Sequence, residues 1–118
     1  MEQDELVEMA REAYTLSRQI ESLENSMADD EHMYGYRADA ENFNVILRRA
    51  REILELDPLL LRSIEHIPEY DPNKRRGYGV DFGAIKTQLG ILKSTLHAFV
   101  QFNCPPEEKE KFGQEELR

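Results

Sequence analysis

A short run of cations is the part of the sequence best suited to bind a ligand. Lys74, Arg75 and Arg76 are adjacent, and Tyr78 follows between two glycines. Neighbouring cations neutralise phosphates or carboxylates, glycines let a ligand approach the backbone, and a tyrosine ring stacks on planar groups. The run leads into a predicted helix, whose first N–H groups also favour anions. We therefore predict a candidate anion-binding loop over residues 73–79, although charge runs of this kind are more often solvated surface.

The overall charge limits what such a loop would bind. Asp and Glu number 24 against 15 Lys and Arg, a formal net charge of -9. This balance opposes general attraction to nucleic acid or to anionic membranes, so we expect neither as a partner. The acids are concentrated in the first 31 residues, which leaves the middle of the chain nearly neutral. Arg48, Arg49 and Arg51 would extend the cationic surface if the fold brought them near the loop.

The three histidines do not fit a metal or catalytic motif. Di-iron sites in helical bundles use Glu-x-x-His, but Ser63 and Ser94 stand three residues before His66 and His97. His32 follows a cluster of acids that would hold a divalent ion weakly, and a solvated acidic turn is the simpler interpretation. We predict no metal site and no cofactor.

Cys104 is the only cysteine, so the chain can form no internal disulfide and no zinc cluster of several thiolates. Two prolines follow it, and no base or cation adjacent in sequence would activate it as a nucleophile. Walker loops, Rossmann glycine patterns and nucleophile elbows are also absent from the sequence. We therefore predict that the protein is not an enzyme.

The first element is predicted to be a long helix over about residues 4–27. Its apolar residues recur in alternating steps of three and four, which is an a/d heptad pattern. Most flanking positions are polar, so the stripe is narrow and more typical of a coiled-coil seam than of a broad core face. We predict that this stripe meets a second chain. Its members are Leu6, Met9, Ala13, Leu16, Ile20, Leu23 and Met27.

Three further helices are predicted, over about residues 39–56, 58–67 and 82–103. Residues 28–38 interrupt the apolar pattern and are predicted to be a loop. Pro58 suits the first position of a helix, and the double proline after Cys104 ends the last one. The last helix repeats the heptad steps of the first, but its apolar stripe widens towards its end. No alternating strand pattern occurs in the sequence.

These elements predict an all-α fold, an antiparallel helical bundle with two long heptad-patterned helices and two shorter ones. Residues 1–104 would form a single domain, followed by a charged, flexible tail or linker over 105–118. In an antiparallel pairing of the long helices, Glu24 would meet Lys86. Exposed pairs of this kind are worth only about 0.3–0.5 kcal/mol, so they would select orientation more than they stabilise the fold.

The sequence favours a non-enzymatic protein-interaction or oligomerisation module, acting as a homodimer or docking a partner along the first helix. The alternative is an anion-binding module that recognises a nucleotide, a phosphorylated partner or nucleic acid through the basic loop. The acidic N-terminus has no apolar signal segment, and no apolar run approaches the ~20 residues that a membrane span needs. A cytoplasmic location is the expectation that follows.

Overall fold

The computed structural model of the chain describes residues 3–30, 36–73, 78–104 and 107. Within these residues the structure is all-helical and contains no strand. Four helices occur there: α1 (Gln3–Asp30), α2 (Tyr36–Leu54), α3 (Pro58–Leu61) and α4 (Tyr78–Asn103). The all-α class predicted from the sequence is confirmed.

The helix ends differ from the predicted ones in ways that local chemistry explains. Helix α1 continues to Asp30 and α2 starts at Tyr36, so the predicted loop over 28–38 is wrong for its first and last residues. Helix α4 begins at Tyr78, four residues before the predicted start, and includes Gly79 in its first turn. Glycine weakens a helix but does not forbid one, and packing of an apolar face outweighs that cost.

Asp57 and Pro58 start α3 as predicted. The Asp57 carboxylate accepts a hydrogen bond from the backbone N–H of Leu60 at 3.4 Å, and Pro58 occupies the first turn, where no N–H is needed. The predicted helix over 58–67 is nevertheless too long. After Leu61 the chain continues as turns in which Ile64 N–H donates to the Leu61 carbonyl.

Helices α1, α2 and α4 all pack against one another, and α3 packs on α2 and α4. The α1 contribution to the core lies on one face, and α2 and α4 present matching apolar faces. Burial of these side chains is the main favourable term in the stability of the fold, at about 25 cal/mol per Å² of apolar area. The fully buried large side chains among the described residues include Ile20, Met27, Phe43, Leu47, Ile53, Leu54, Ile64, Ile67, Ile85, Leu89, Leu92, Leu96 and Phe99.

After the turns that follow α3, the chain returns along α2. We call residues 67–73 the return segment. The Arg51 guanidinium donates to the Ile67 carbonyl, and the Asn44 side chain makes two hydrogen bonds with the backbone of Tyr70. The Tyr70 ring lies edge-on to Phe43, with 5.1 Å between ring centroids. The return segment therefore covers one side of α2 over two turns.

Two side-chain contacts join α4 to residues that are far away in sequence. Lys93 Nζ of α4 donates to Glu24 Oε1 of α1 at 2.8 Å. Asn103, the last residue of α4, donates to the Asp57 carboxylate at 3.3 Å. Glu24 does pair with a lysine of α4, as the sequence predicts, but that lysine is Lys93 and not Lys86. Lys86 lies two helical turns before Lys93.

Candidate interaction surfaces

The apolar stripe of α1 is part of the protein's own core. Ala13, Leu16, Ile20, Leu23 and Met27 are all buried. Leu6 and Met9, at the start of the stripe, are half-buried. The five buried side chains belong to the hydrophobic core of the same chain, and Met9 packs against that core. The stripe is narrow because flanking positions such as Ala10 and Ser17 are small, and these are buried as well.

Most of the predicted anion-binding loop falls outside the described residues. Lys74, Arg75 and Arg76 are not described, and Tyr78 is described only as the first residue of α4. The arginines that were to enlarge this surface are described, and each is already engaged in the fold. Arg48 binds Glu69, and Arg51 binds the Ile67 carbonyl.

Arg49 connects α1 to α2 through two carboxylates. Its guanidinium donates to Glu12 of α1 and, at 2.5 Å, to Glu52 on the next turn of α2. The hydrogen bond to Glu52 raises the pKa of Arg49, and the charges of both carboxylates act in the same direction against partial desolvation. This arginine neutralises part of the acidic surface of α1.

Glu69 anchors the return segment electrostatically. The hydrogen bond from Arg48 lowers the pKa of the Glu69 carboxyl, and the positive charges of Arg48 and Arg51 add to that effect against a small desolvation. The same contact raises the pKa of Arg48. Both groups are exposed, so solvent screens the interaction and its role is to hold a local conformation.

The described residues include no group of three or more His, Cys, Asp or Glu arranged to hold a metal ion. His66 and His97 are exposed, and His32 lies outside the described part. Cys104 is buried at the end of α4. Among the described helices, none is long and apolar enough to cross a membrane.

One face of α4 is exposed or partly exposed and carries no Asp, Glu, Lys or Arg. We call it the α4 outer face. It lies opposite the side buried in the core and repeats with helical spacing. Its members are Gly83, Thr87, Gly90, Ser94, His97, Ala98 and Gln101, each exposed or partly exposed. In all of α4 the charged residues are Asp81, Lys86 and Lys93, so this helix contrasts with α1, which carries eight acids and two arginines.

In the part of the chain that the structure describes, nothing packs closely over the two glycines of the α4 outer face. A Cβ added at Gly83 or at Gly90 would meet no atom within 4 Å. Neither glycine is there to let α4 approach another helix of its own bundle, although each costs about 1 kcal/mol of helix stability relative to alanine. Phe102, at the end of the same helix and beside this face, is 71% exposed.

A second surface is a groove between α1 and α2, which we call the α1–α2 groove. It consists of two open depressions that share Gln19. The larger, of about 560 Å³, runs along the first half of α1 and is bounded on the α2 side by Arg49. The smaller, of about 300 Å³, includes Ser22 and Ser26 of α1 and Val45 of α2. Val45 is 60% exposed.

Sequence reasoning did not identify either surface. The signal for the α4 outer face was present, because Gly83 and Gly90 are seven residues apart, so that two turns of helix place them on one side. The α1–α2 groove had no such signal, because its residues come from two helices whose relative rotation depends on packing. Comparison of the chain with protein-family models, with curated proteins and with solved structures gives no match.

Proposed function

We propose that this protein is a non-enzymatic oligomerisation module that forms a homodimer through the α4 outer face. The expectation from the sequence was also a homodimer, but through the first helix. Because most of the apolar stripe of that helix is buried within the chain, we assign the contact between the two copies to the last helix, α4. The role is binding, and it needs no cofactor.

The observation that carries the proposal is the open space over Gly83 and Gly90, on a helix face that is exposed or partly exposed and carries no Asp, Glu, Lys or Arg. Glycine in a helix interior is destabilising unless something benefits from the missing side chain. Small residues allow two helix backbones to approach closely, as in small-xxx-small helix pairs. Among the described residues no helix makes that approach at Gly83 or Gly90, and a helix of another chain is the partner that we propose for them.

The positions of the large and small residues favour a second copy as that partner. In an antiparallel pair of α4 helices that cross midway between Gly90 and Ser94, each Gly90 faces the Ser94 of the other copy. Phe102 lies ten residues from that crossing point, or about 15 Å, and Gly83 lies nine residues away on the other side. The exposed ring of one copy therefore reaches the open space over Gly83 of the other, and two-fold symmetry makes this contact twice.

The charge distribution also favours α4 as the pairing element. Two copies that met through α1 would bring together helices with eight acids and two arginines each. Two copies that met through the α4 outer face would place those acidic helices away from each other. Like charges at close range oppose association, so the α4 outer face is less costly to bury between two copies than α1 is.

Within each subunit, the proposal includes the antiparallel arrangement of α1 and α4 that the sequence predicts. The Lys93–Glu24 contact ties the middle of α4 to the last third of α1, and the Asp57–Asn103 contact places the end of α4 beside the end of α2. Both contacts support a parallel arrangement of α4 and α2 and an antiparallel arrangement of α4 and α1. Among the described residues, this arrangement leaves the outer side of α4 exposed or partly exposed from Gly83 to Gln101.

A cysteine exchange experiment tests both the dimer and its register. We would prepare Gly83→Cys and Phe102→Cys as separate variants, each also carrying Cys104→Ser. Equivalent positions of an antiparallel pair would be about 27 Å apart for residue 83 and about 30 Å apart for residue 102. Each variant alone should therefore form no disulfide between subunits under mild oxidation. A mixture of the two variants should form a disulfide between position 83 of one subunit and position 102 of the other.

Light scattering over a range of concentrations supplies the second readout. The unmodified chain should show a dimer mass that falls on dilution, and Gly90→Leu should show a monomer at the same concentrations. The leucine enters open space in the monomer, so the helical content and cooperative melting of this variant should be retained. A monomer mass for the unmodified chain at all concentrations would reject the proposal.

A further inference from the structure

We infer that the side of α2 beneath the return segment is a binding site for an extended peptide of a partner protein, in which an acidic residue directly precedes an aromatic one. The return segment occupies this site within the chain and is displaced when the partner binds. The site uses residues of α2 and not the α4 outer face, so the inference does not depend on the proposed homodimer.

Side chains of α2 hold the backbone of the return segment as a receptor holds a bound peptide. Asn44 Nδ2 donates to the Tyr70 carbonyl at 2.7 Å, and Asn44 Oδ1 accepts from the Tyr70 N–H at 2.9 Å. The Arg51 guanidinium donates to the Ile67 carbonyl. Among the described residues, no backbone–backbone hydrogen bond involves residues 68–73. The groups that α2 binds here are therefore ones that the backbone of another peptide also offers.

The spacing of these contacts fits an extended chain. Asn44 and Arg51 are seven residues apart on α2, which is about 10 Å at the rise of an α-helix. Their partners Tyr70 and Ile67 are three residues apart, and an extended chain covers about 10 Å in that distance. Pro68 keeps the residue before it out of the α region and so favours this conformation. The two lengths agree for a peptide that runs nearly extended along the helix.

Two side chains of the return segment indicate what the partner peptide carries. Arg48 binds the Glu69 carboxylate, and this hydrogen bond, together with the charges of Arg48 and Arg51, lowers the pKa of Glu69. The Tyr70 ring lies edge-on to Phe43, with 5.1 Å between the ring centroids. A carboxylate followed by an aromatic ring is the pattern that matches both contacts.

The charges along this side of α2 fit an acidic residue at its centre. Glu41 and Glu55 lie on the same side of the helix, about one turn beyond Asn44 and Arg51 respectively. Among the described residues, the charges that act on Glu69 are those of the two arginines, Arg48 and Arg51. The middle of the site is thus cationic and complements a carboxylate of the partner.

The contacts of the return segment are ones that a partner can replace. Ile67 is fully buried, but beyond it only Tyr70 and Pro72 are half-buried, and the remaining residues of the segment are exposed. Displacement of residues 68–73 therefore uncovers little apolar surface and leaves Ile67 in the core. Because the segment competes for the site, the apparent affinity of the partner is reduced by the fraction of chains in which the site is covered.

A separate protein is a better occupant than a second copy of this chain. The return segment of a second copy carries the matching residues, but its own α2 already holds it. A tethered segment reaches its site at a high effective concentration, so exchange between two copies is at a disadvantage. A partner peptide without a competing site of its own has no such disadvantage.

The test uses the full chain and a fluorescent peptide with the sequence of residues 66–73. The receptor is the double variant Glu69→Ala/Tyr70→Ala, whose own return segment lacks both the carboxylate and the ring. We expect saturable one-to-one binding by fluorescence anisotropy, at least about tenfold tighter for this variant than for the unmodified chain. In NMR spectra of the labelled receptor, the side-chain amide signals of Asn44 should shift over the same range of peptide concentration.

Matched variants separate recognition at this site from general attraction between charges. Arg48→Ala, added to the receptor, should weaken binding by at least about fivefold, because the carboxylate of the peptide loses its donor. Arg18→Ala removes the same charge at an exposed residue of α1 and should change binding by no more than about twofold. A peptide with glutamine in place of the residue equivalent to Glu69 should bind more weakly to the receptor but equally well to its Arg48→Ala form.

Four results would overturn the inference. The first is no binding to the double variant at peptide concentrations up to about 1 mM. Equal affinity of the double variant and the unmodified chain would mean that the return segment does not cover the site. Equal losses in Arg48→Ala and Arg18→Ala would mean that the peptide responds only to net charge. Capture of the unmodified chain by the double variant as tightly as the peptide would assign the site to a second copy.

Folding of each variant is checked by circular dichroism and cooperative melting. Tyr70 is half-buried, so the double variant is the one whose folding most needs this check. If it does not melt cooperatively, Glu69→Ala alone takes its place as receptor, because Glu69 is exposed. The same expectations and the same overturning results then apply to that variant.

Discussion

The side chain of Asn44 forms a reciprocal pair of hydrogen bonds with the backbone of Tyr70. Its Nδ2 donates to the Tyr70 carbonyl at 2.7 Å, and its Oδ1 accepts from the Tyr70 N–H at 2.9 Å. The side-chain amide of Asn44 thus pairs with both backbone hydrogen-bonding groups of Tyr70, as a neighbouring strand does in a β-sheet. Asn44 is buried, so water does not compete easily for these bonds.

Replacing Asn44 by alanine should destabilise the protein by about 2–4 kcal/mol, because the Tyr70 N–H and carbonyl both lose their partner. Urea denaturation followed by circular dichroism measures the change. Asn42→Ala is the matched control, because Asn42 is exposed on the same helix. Its effect should stay within about 0.5 kcal/mol. Equal effects of the two substitutions would mean that the Asn44–Tyr70 pair contributes nothing specific.

The Glu69–Arg48 contact should make the return segment sensitive to acid. Because the folded-state pKa of Glu69 is lowered, its contribution is fully present above its ordinary value of 4.5 and is lost as the pH falls through the lower folded value. Protection of the Tyr70 amide from hydrogen exchange should therefore decrease below about pH 4.5. In Glu69→Gln that part of the pH dependence should vanish, and an unchanged profile would contradict this assignment.

Gly90→Ala should have opposite effects on the subunit and on the dimer. In the monomer the methyl group enters open space, so better helix propensity should raise the free energy of unfolding by up to about 1 kcal/mol. In the dimer the same methyl group separates two closely packed backbones and should weaken association. Chemical denaturation at low concentration and sedimentation at high concentration measure the two effects. If association is unchanged while the monomer is stabilised, the two backbones do not meet at Gly90.

Ile20→Ala distinguishes a core position from a surface reserved for a partner. Ile20 is fully buried in the monomer, so the variant should lose about 2–5 kcal/mol of unfolding free energy whatever the protein concentration. The control is Val45→Ala, at a position 60% exposed in the α1–α2 groove, which should change stability by less than about 0.5 kcal/mol. If Ile20→Ala lowers the unfolding free energy only at concentrations where the chain associates, the α1 stripe is an interface between chains.

The outcome for α1 shows why the sequence pattern predicts a helix better than it predicts the partner of that helix. The steps from Leu16 to Ile20 and Leu23 require an apolar face, because a helix brings those positions together. The pattern contains no information on whether that face meets another chain or α2 and α4 of its own. The small flanking residues Ala10 and Ser17 are buried as well, which makes the face wider than its apolar residues alone indicate.

By itself, the sequence determined the all-helical class and the approximate positions of the helices. It did so because hydrophobic period and proline act locally: Pro58 starts α3, and α4 ends at Asn103, close to the double proline, as predicted. Tertiary structure decided how those helices are rotated and what their polar side chains contact. Arg48 and Arg51 hold the return segment and do not form an open cationic surface, because packing brings Glu69 and the Ile67 carbonyl to them from 21 and 16 residues away. The same rotations bury most of the stripe of α1 and leave Gly83 and Phe102 exposed on α4, since contacts between distant residues depend on the whole packed arrangement.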